Sequence, residues 1–294
     1  MIELSNGHKI EYMAASAAFG FDGKTHRLKR PLQWFNLFDP SLFTTKVIKT
    51  LTRLQQKGNF RWYNPLRVVK PIKGGVHNAV GLTNNGIDWF CEHIGPKIDK
   101  KKNALVVSIH SDNIEELGIM AGMLNDFAFV ALEINVSCPN VRDYVLSDSL
   151  RVVEACQEVE KNSCFPIILK LSVVQDIRAI LPRIQGLVEA ISINSVPWRI
   201  VFPNCQSSLK RFGGGALSGK IAQPFTWKFA RKIVEMKNNS IPVIWPSMWQ
   251  KGDIEKAREQ GAQAFSFCSV FFLHPWRATK LIRNDIKQRK KYVH

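Results

Sequence analysis

Eight consecutive residues carry the densest chemistry in this chain: Glu133-Ile134-Asn135-Val136-Ser137-Cys138-Pro139-Asn140. The apolar run Val130 to Val136 reads as a short buried strand, and polar groups crowd its end. Asn135 and Asn140 can each donate and accept hydrogen bonds. Cys138 between them can serve as a nucleophile or a proton acceptor, because a thiol with a pKa of ~8.5 ionises near neutral pH when its surroundings help. A polar cluster where a strand stops is what a barrel enzyme presents at its active-site mouth. The plainer alternative is a loop turned by Cys-Pro-Asn.

Other segments repeat the pattern of a short apolar run ending in polar groups. Lys49-Thr50 follows Val47-Ile48, Lys170 lies within Ile168-Leu169-Lys170-Leu171-Ser172, and Asn194-Ser195 follows Ala190–Ile193. A lysine inside so apolar a strand needs an anionic partner, either a bound ligand or a carboxylate.

Eight short apolar runs are expected to be the strands that position these groups. They are Ile10–Ala15, Val47–Ile48, Ala104–Ile109, Val130–Val136, Pro166–Leu171, Ala190–Ile193, Ile241–Ile244 and Ala264–Phe267. Between them, Ser149–Lys161, Phe225–Met236 and Asp253–Gly261 have helical spacing. Eight strand–helix units in 294 residues predict an α/β fold, a (β/α)8 TIM barrel, in a single domain spanning 1–294. Residues 196–213 are the longest stretch without helix or strand character, and loops that long are usually functional.

Composition narrows the classes. Hydrophobic residues make up 45% of the chain, as in globular proteins. No apolar run is long enough to cross a membrane, and Met1–Lys9 does not resemble a signal peptide. The six cysteines form no CxxC pair and no metal-ligand spacing, so reduced thiols, a cytoplasmic location and no metal site are expected. The net charge is +17, from 41 Lys+Arg against 24 Asp+Glu. That balance favours anionic partners, whether nucleic acid, an acidic membrane face or small anions. No RNA-binding motif accompanies it, so nucleic acid and membrane partners are not expected. The basic run Lys287–Lys291 reads as a solvated helix end.

These segments resemble the dihydroorotate dehydrogenase family in order and spacing, from about Met13 to about Trp276. The octet 133–140 resembles its active-site segment. Val76 to Phe90, with Asn78-Ala79-Val80-Gly81-Leu82, looks like its substrate loop. Ile48-Lys49-Thr50 is similar to an early strand of the family, Ile168–Ser172 to its flavin-lysine strand, Ile193-Asn194-Ser195 to a substrate contact, and Gly214–Gly219 to its Gly-Gly-x-Ser-Gly loop.

The resemblance implies FMN-dependent oxidation of dihydroorotate to orotate in pyrimidine biosynthesis. Hydride goes to the flavin, and Cys138 is the base, as in the soluble branch. It assigns substrate contacts to Lys49, Asn78, Gly81, Leu82, Asn135, Asn140, Asn194 and Ser195. It assigns cofactor contacts to Ser16, Lys49, Thr50, Asn135, Lys170, Ile193, Gly219 and Ser269, and it places Ser108 where many members carry an asparagine that touches FMN. A homodimer and an iron–sulfur/FAD electron-transfer subunit are implied partners; the latter is suggested by Phe272–Trp276.

Departures concentrate at the FMN phosphate. Ile244-Trp245-Pro246-Ser247-Met248-Trp249 stands where Gly-x-Gly-Gly is expected, and Phe267-Cys268-Ser269 where Gly-Thr is expected. Pro246 has no N–H to offer. Trp245 and Trp249 have three open placements: filling the phosphate pocket, reshaping it, or pointing into the helical layer. Pro197 and Trp198 are expected to alter the substrate pocket. Two alternatives stay open: a flavin enzyme for another cyclic amide, and a flavin-free relative that binds an anion.

Overall fold

A computed structural model describes residues 1–16, 18–25, 30–99, 104–137 and 148–291. Eight parallel strands form its centre: β1 (Tyr12–Ala14), β2 (Thr45–Val47), β3 (Leu105–Ile109), β4 (Ala131–Asn135), β5 (Ile167–Leu171), β6 (Ala190–Ile193), β7 (Ile244–Trp245) and β8 (Ala264–Phe267). Each pairs with the next, β8 pairs with β1, and a parallel bridge between Ile191 and Val243 joins β6 to β7. The sheet therefore closes into a (β/α)8 barrel. Each strand is followed by a helix before the next, the longest being Ile114–Leu124, Ser149–Asn162, Gln223–Val234 and Pro275–Lys291. Asn113, Asp148 and Asp176 start three of the helices by accepting a backbone N–H of the first turn.

Several of the expected strands differ in extent; the second, expected at Val47–Ile48, runs Thr45–Val47. Ile10 leaves the first run to pair with Ile2 in a hairpin that precedes β1. β7 holds only Ile244 and Trp245, because Pro242 has no N–H to give and its carbonyl accepts from Ile191.

Alternation along the strands sorts the barrel interior into layers. Met13, Val47, Val106, Ala131, Ile168, Ala190, Ile244 and Ala264 form an apolar lower layer, plugged from below by Ile2, Leu4 and Ile10. Two residues further along the strands the interior turns polar. Glu133 is fully buried and accepts from Lys170 Nζ (3.1 Å), Ser108 Oγ (2.9 Å) and Ser192 Oγ (3.0 Å). The odd-numbered residues of β4 thus face inward, while Leu132 and Ile134 pack in the larger core between barrel and helices.

A second, antiparallel sheet stands over the C-terminal end of the barrel. Its strands, in order, are Val196–Pro197, Ala216–Gly219, Gly75–Asn78 and Val69–Ile72. Residues 196–213 therefore do contain regular structure: the strand Val196–Pro197, a helical turn at Trp198–Val201 and another at Lys210–Phe212. The basic C-terminal run is also more than a solvated end, because Arg289 reaches Glu11 and Asp285 and donates to Tyr12 Oη at 2.6 Å.

Candidate active site

One cleft of about 1250 Å3, measured out to its open mouth, lies between the ends of the barrel strands and the outer sheet. Its walls include Ser16, Lys49, Thr50, Asn78, Gly81, Leu82, Asn135, Lys170, Ile193, Asn194, Ser195, Gly219 and Ser269. These are all of the site residues expected from sequence that fall among the described residues. Cys138 and Asn140 lie outside them. Groups separated by more than two hundred residues of chain thus share one cavity.

The floor is a hydrogen-bonded polar layer. Lys170, 7% exposed, is held by Glu133. Thr50 Oγ1 lies 2.9 Å from Ser108 Oγ and accepts from Asn135 Nδ2 at 3.3 Å. Ser108 itself does not line the cleft; it sits one layer below, between Thr50 and Glu133. Asn135 Oδ1 accepts from Ser137 N–H and Oγ. Asn194 Nδ2 donates to Ser137 O (3.0 Å) and Oγ (3.1 Å), and Asn194 Oδ1 accepts from Ser195 N–H (2.8 Å). The chain is therefore pinned at Ser137, immediately before Cys138. Lys49 has no carboxylate partner among the described residues; its ammonium lies 5.7 Å from the Phe21 ring centre, and burial holds its pKa below the ordinary lysine value.

The outer sheet supplies the opposite wall. Asn78 pairs in register with Ala216 and Val69. Gly81 (φ +70°) and Leu82 (φ +43°) both turn left-handed, a strained choice for leucine. Asn84 holds that turn: its Nδ2 donates to Leu82 O (2.6 Å) and its Oδ1 accepts from Gly86 N–H (2.9 Å). Trp198 does not enter the cleft. It stacks on His77 at 4.5 Å on the outer sheet, so its effect on the site is indirect.

At the β7 and β8 ends the expected glycine turns are rebuilt. Trp245 is fully buried, points into the helical layer and packs edge-on against Trp227. Trp249 is also buried, against Gly219, His274 and Arg277. Neither fills the cleft, whose wall here is Pro246, Ser247 and Met248. Ser247 adopts φ +64°, the left-handed backbone that a glycine would adopt without strain. Asp253 Oδ2 fixes the far side of the turn by accepting Trp249 N–H and Gln250 N–H, both at 2.8 Å.

The cleft therefore fits a flavin phosphate at this end. The N–H groups of Ser247 and Ser269 donate to no other described residue, and both residues line the cleft. Gly219 (φ +95°) has no room for a side chain: a Cβ there would come within 2.8 Å of Gly74 O and 2.9 Å of the Trp249 ring. Backbone donors beside such a glycine are a recurrent phosphate cradle.

Three contributors were not singled out from sequence. Glu133 was visible as an acid of the same strand parity as Asn135, the signal that it shares the barrel interior. Asn84 lay within the substrate loop without a role. His110, buried, donates from Nδ1 to the Asn135 carbonyl at 2.7 Å, a contact between adjacent strand ends that no local pattern announces.

Comparison with known proteins agrees with this architecture. The sequence model of the family described as dihydroorotate dehydrogenase matches residues 13–258. The catalytic subunit of dihydroorotate dehydrogenase B (NAD(+)) from Geobacter sp. is 30% identical over 279 residues, covering 92% of this chain and 86% of the relative. Its counterpart from Carboxydothermus hydrogenoformans is 29% identical over 285 residues, covering 94% and 87%. Among solved structures, a ligand-free type dihydroorotate dehydrogenase from Eimeria tenella matches with a TM-score of 0.72 at 16% identity, covering 98% of this chain and 88% of that one. That likeness bears on the fold.

Proposed function

We propose a function from one premise: the chain belongs to the dihydroorotate dehydrogenase family. It is an oxidoreductase that oxidises dihydroorotate to orotate in pyrimidine biosynthesis. The observation that carries the site assignment is the convergence of the described residues assigned as substrate and cofactor contacts on one cleft, with Ser108 one layer below them.

The cofactor of this reading is FMN. Its phosphate would sit against Ser247, Ser269 and Gly219, and its polar ring edge against Lys170. When bound, FMN supplies the two-electron acceptor for the substrate hydride. The chain's own residues do the rest. Lys170, tied to Glu133, presents a fixed cation where reduction builds negative charge. Lys49 opposes the substrate's carboxylate from an apolar setting, where a charge–charge contact is stronger than in water. Asn78, Asn135, Asn140 and Asn194 match the amide edge and carboxylate of the substrate, with the Gly81-Leu82 turn and Ser195 closing around it.

Cys138 removes the proton. Asn135 and Asn194 fix Ser137, the residue before it, and so set where the thiol chain begins. A thiolate near its working pKa is a competent general base. Relatives are named as the catalytic subunit of an NAD(+) enzyme. By the same reading this chain passes its electrons to a separate subunit carrying an iron–sulfur centre and FAD, and it pairs as a homodimer. Single-turnover reduction of the FMN-loaded protein by dihydroorotate tests the mechanism. Cys138→Ala should keep the flavin and slow its reduction by at least ~100-fold, the low end of what a positioned general base contributes. Reduction at the parent rate would remove Cys138 from the chemistry.

A further inference from the structure

The outer sheet carries a surface that the reaction does not use. Residues 40–87 and 190–234 contain no Asp or Glu, and these are the two stretches that build that sheet. Arg67 and Arg211 both lie over the Phe212 ring, at 5.1 and 4.6 Å, which joins the two stretches at the surface. Arg61, Lys70, Lys73 and Lys210 belong to the same segments. None of these six cations has a carboxylate partner among the described residues.

The loop leading into the sheet is apolar where it meets water. Trp62 is 84% exposed, Tyr63 67%, Leu66 62% and Leu54 69%. Trp62 and Tyr63 touch edge to face, 6.0 Å between ring centres, and Pro65 begins a short helical turn beneath them. Asn59 braces the loop against the cleft wall: its backbone N–H donates to Val80 O and its side-chain Nδ2 to Ala79 O. The loop thus holds Trp62, Tyr63 and Leu66 in water on the same segment as Arg61 and Arg67, cations that no carboxylate pairs among the described residues.

We propose that this loop and sheet dock the protein peripherally on an anionic lipid surface. Tryptophan and tyrosine favour the level of lipid headgroups, because their rings are apolar and their N–H and O–H remain wet. Lysine and arginine beside them gain from the negative potential of acidic lipids. A fluid anionic surface can meet every cation without a matching side chain for each. No helix among the described residues is long and apolar enough to span a membrane, so the contact is by surface docking.

Co-sedimentation of the purified full chain with phosphatidylglycerol-containing vesicles tests this, with phosphatidylcholine vesicles as the comparison. Binding is expected only to the anionic vesicles, weakening as salt rises. Trp62→Ser with Tyr63→Ser should lower the affinity at least tenfold although the net charge is unchanged. Arg61→Glu with Arg67→Glu should do the same from the electrostatic side. All four residues are surface positions outside the cleft, and circular dichroism checks that the variants fold. No binding to anionic vesicles overturns the proposal. So does binding that survives the Trp62/Tyr63 change, which would reduce the effect to net charge. Docking to an acidic protein, lost in the same variants without vesicle binding, would reassign the surface.

Discussion

At the ends of β4, β5 and β6 the cleft is made by side chains, whereas at the ends of β7 and β8 it is made by backbone. On the first side, Glu133, Lys170, Asn135 and Asn194 bond to one another or to Thr50 and Ser137, and changing any one of them leaves a buried polar group without its partner. On the second side, the residue types differ from the family pattern while the turn keeps its left-handed step at Ser247 and its donors. Side-chain recognition constrains which residue is present. Backbone recognition constrains only φ and ψ, and several sequences can satisfy it at a cost in strain. The rebuilt Trp-Pro-Ser-Met-Trp turn is therefore compatible with a kept phosphate site.

Substitutions on the two sides test this contrast. Lys170→Ala should act most strongly, since it strands the buried Glu133 carboxylate; losing one member of a buried pair costs ~3–5 kcal/mol. Chemical denaturation should show that loss, and the purified variant should retain less flavin. A variant as stable and as yellow as the parent would contradict the floor described here.

Trp245→Gly restores the family's glycine by sequence, yet it should destabilise by ~3–5 kcal/mol, because the ring fills the helical layer and its removal leaves a cavity. FMN affinity should not rise. Tighter FMN binding in that variant would place Trp245 in the phosphate pocket after all.

His110 links stability to pH on the side-chain half. Burial lowers its pKa below 6.5 in the folded state. Below pH 6.5 the unfolded chain takes up a proton that the folded chain does not, so stability falls with falling pH until the folded pKa is reached. The slope from this one group is at most ~1.4 kcal/mol per pH unit. Urea midpoints between pH 5 and 8 should show that component, and His110→Asn should lack it.

Ser247→Gly should have the smallest effect. Relief of the left-handed serine is worth ~1–2 kcal/mol, and part of it is offset by the freedom glycine adds to the unfolded chain. A small rise in thermal midpoint with FMN binding maintained is expected. Loss of FMN binding would mean that the serine hydroxyl, and not the backbone, holds the phosphate.

The same contrast explains what the sequence made legible. Most barrel strands stood out because they are short, largely apolar runs with polar groups crowding one end. Lys170 pointed to its own partner, since a lysine in Ile-Ile-Leu-Lys-Leu requires one, although the partner proved to be Glu133 in the neighbouring strand. The outer sheet was hidden. His77 pairs with Leu217 across 140 residues of chain, through short glycine-flanked strands that carry little pattern of their own. Trp245 was ambiguous for a related reason: a two-residue strand gives no periodicity to say which way a side chain faces. Ser247 gave no sign of its backbone conformation, because serine seldom adopts it.

The most direct measurement is the visible spectrum of the purified protein after incubation with FMN, followed by dihydroorotate in the absence of oxygen. Retained flavin that bleaches on adding dihydroorotate is the expected result, and it would show that the rebuilt turn still anchors the cofactor beside a working substrate site. A protein that stays colourless in excess FMN would contradict the phosphate cradle at Ser247, Ser269 and Gly219, and with it the reading of the cleft as a flavin site.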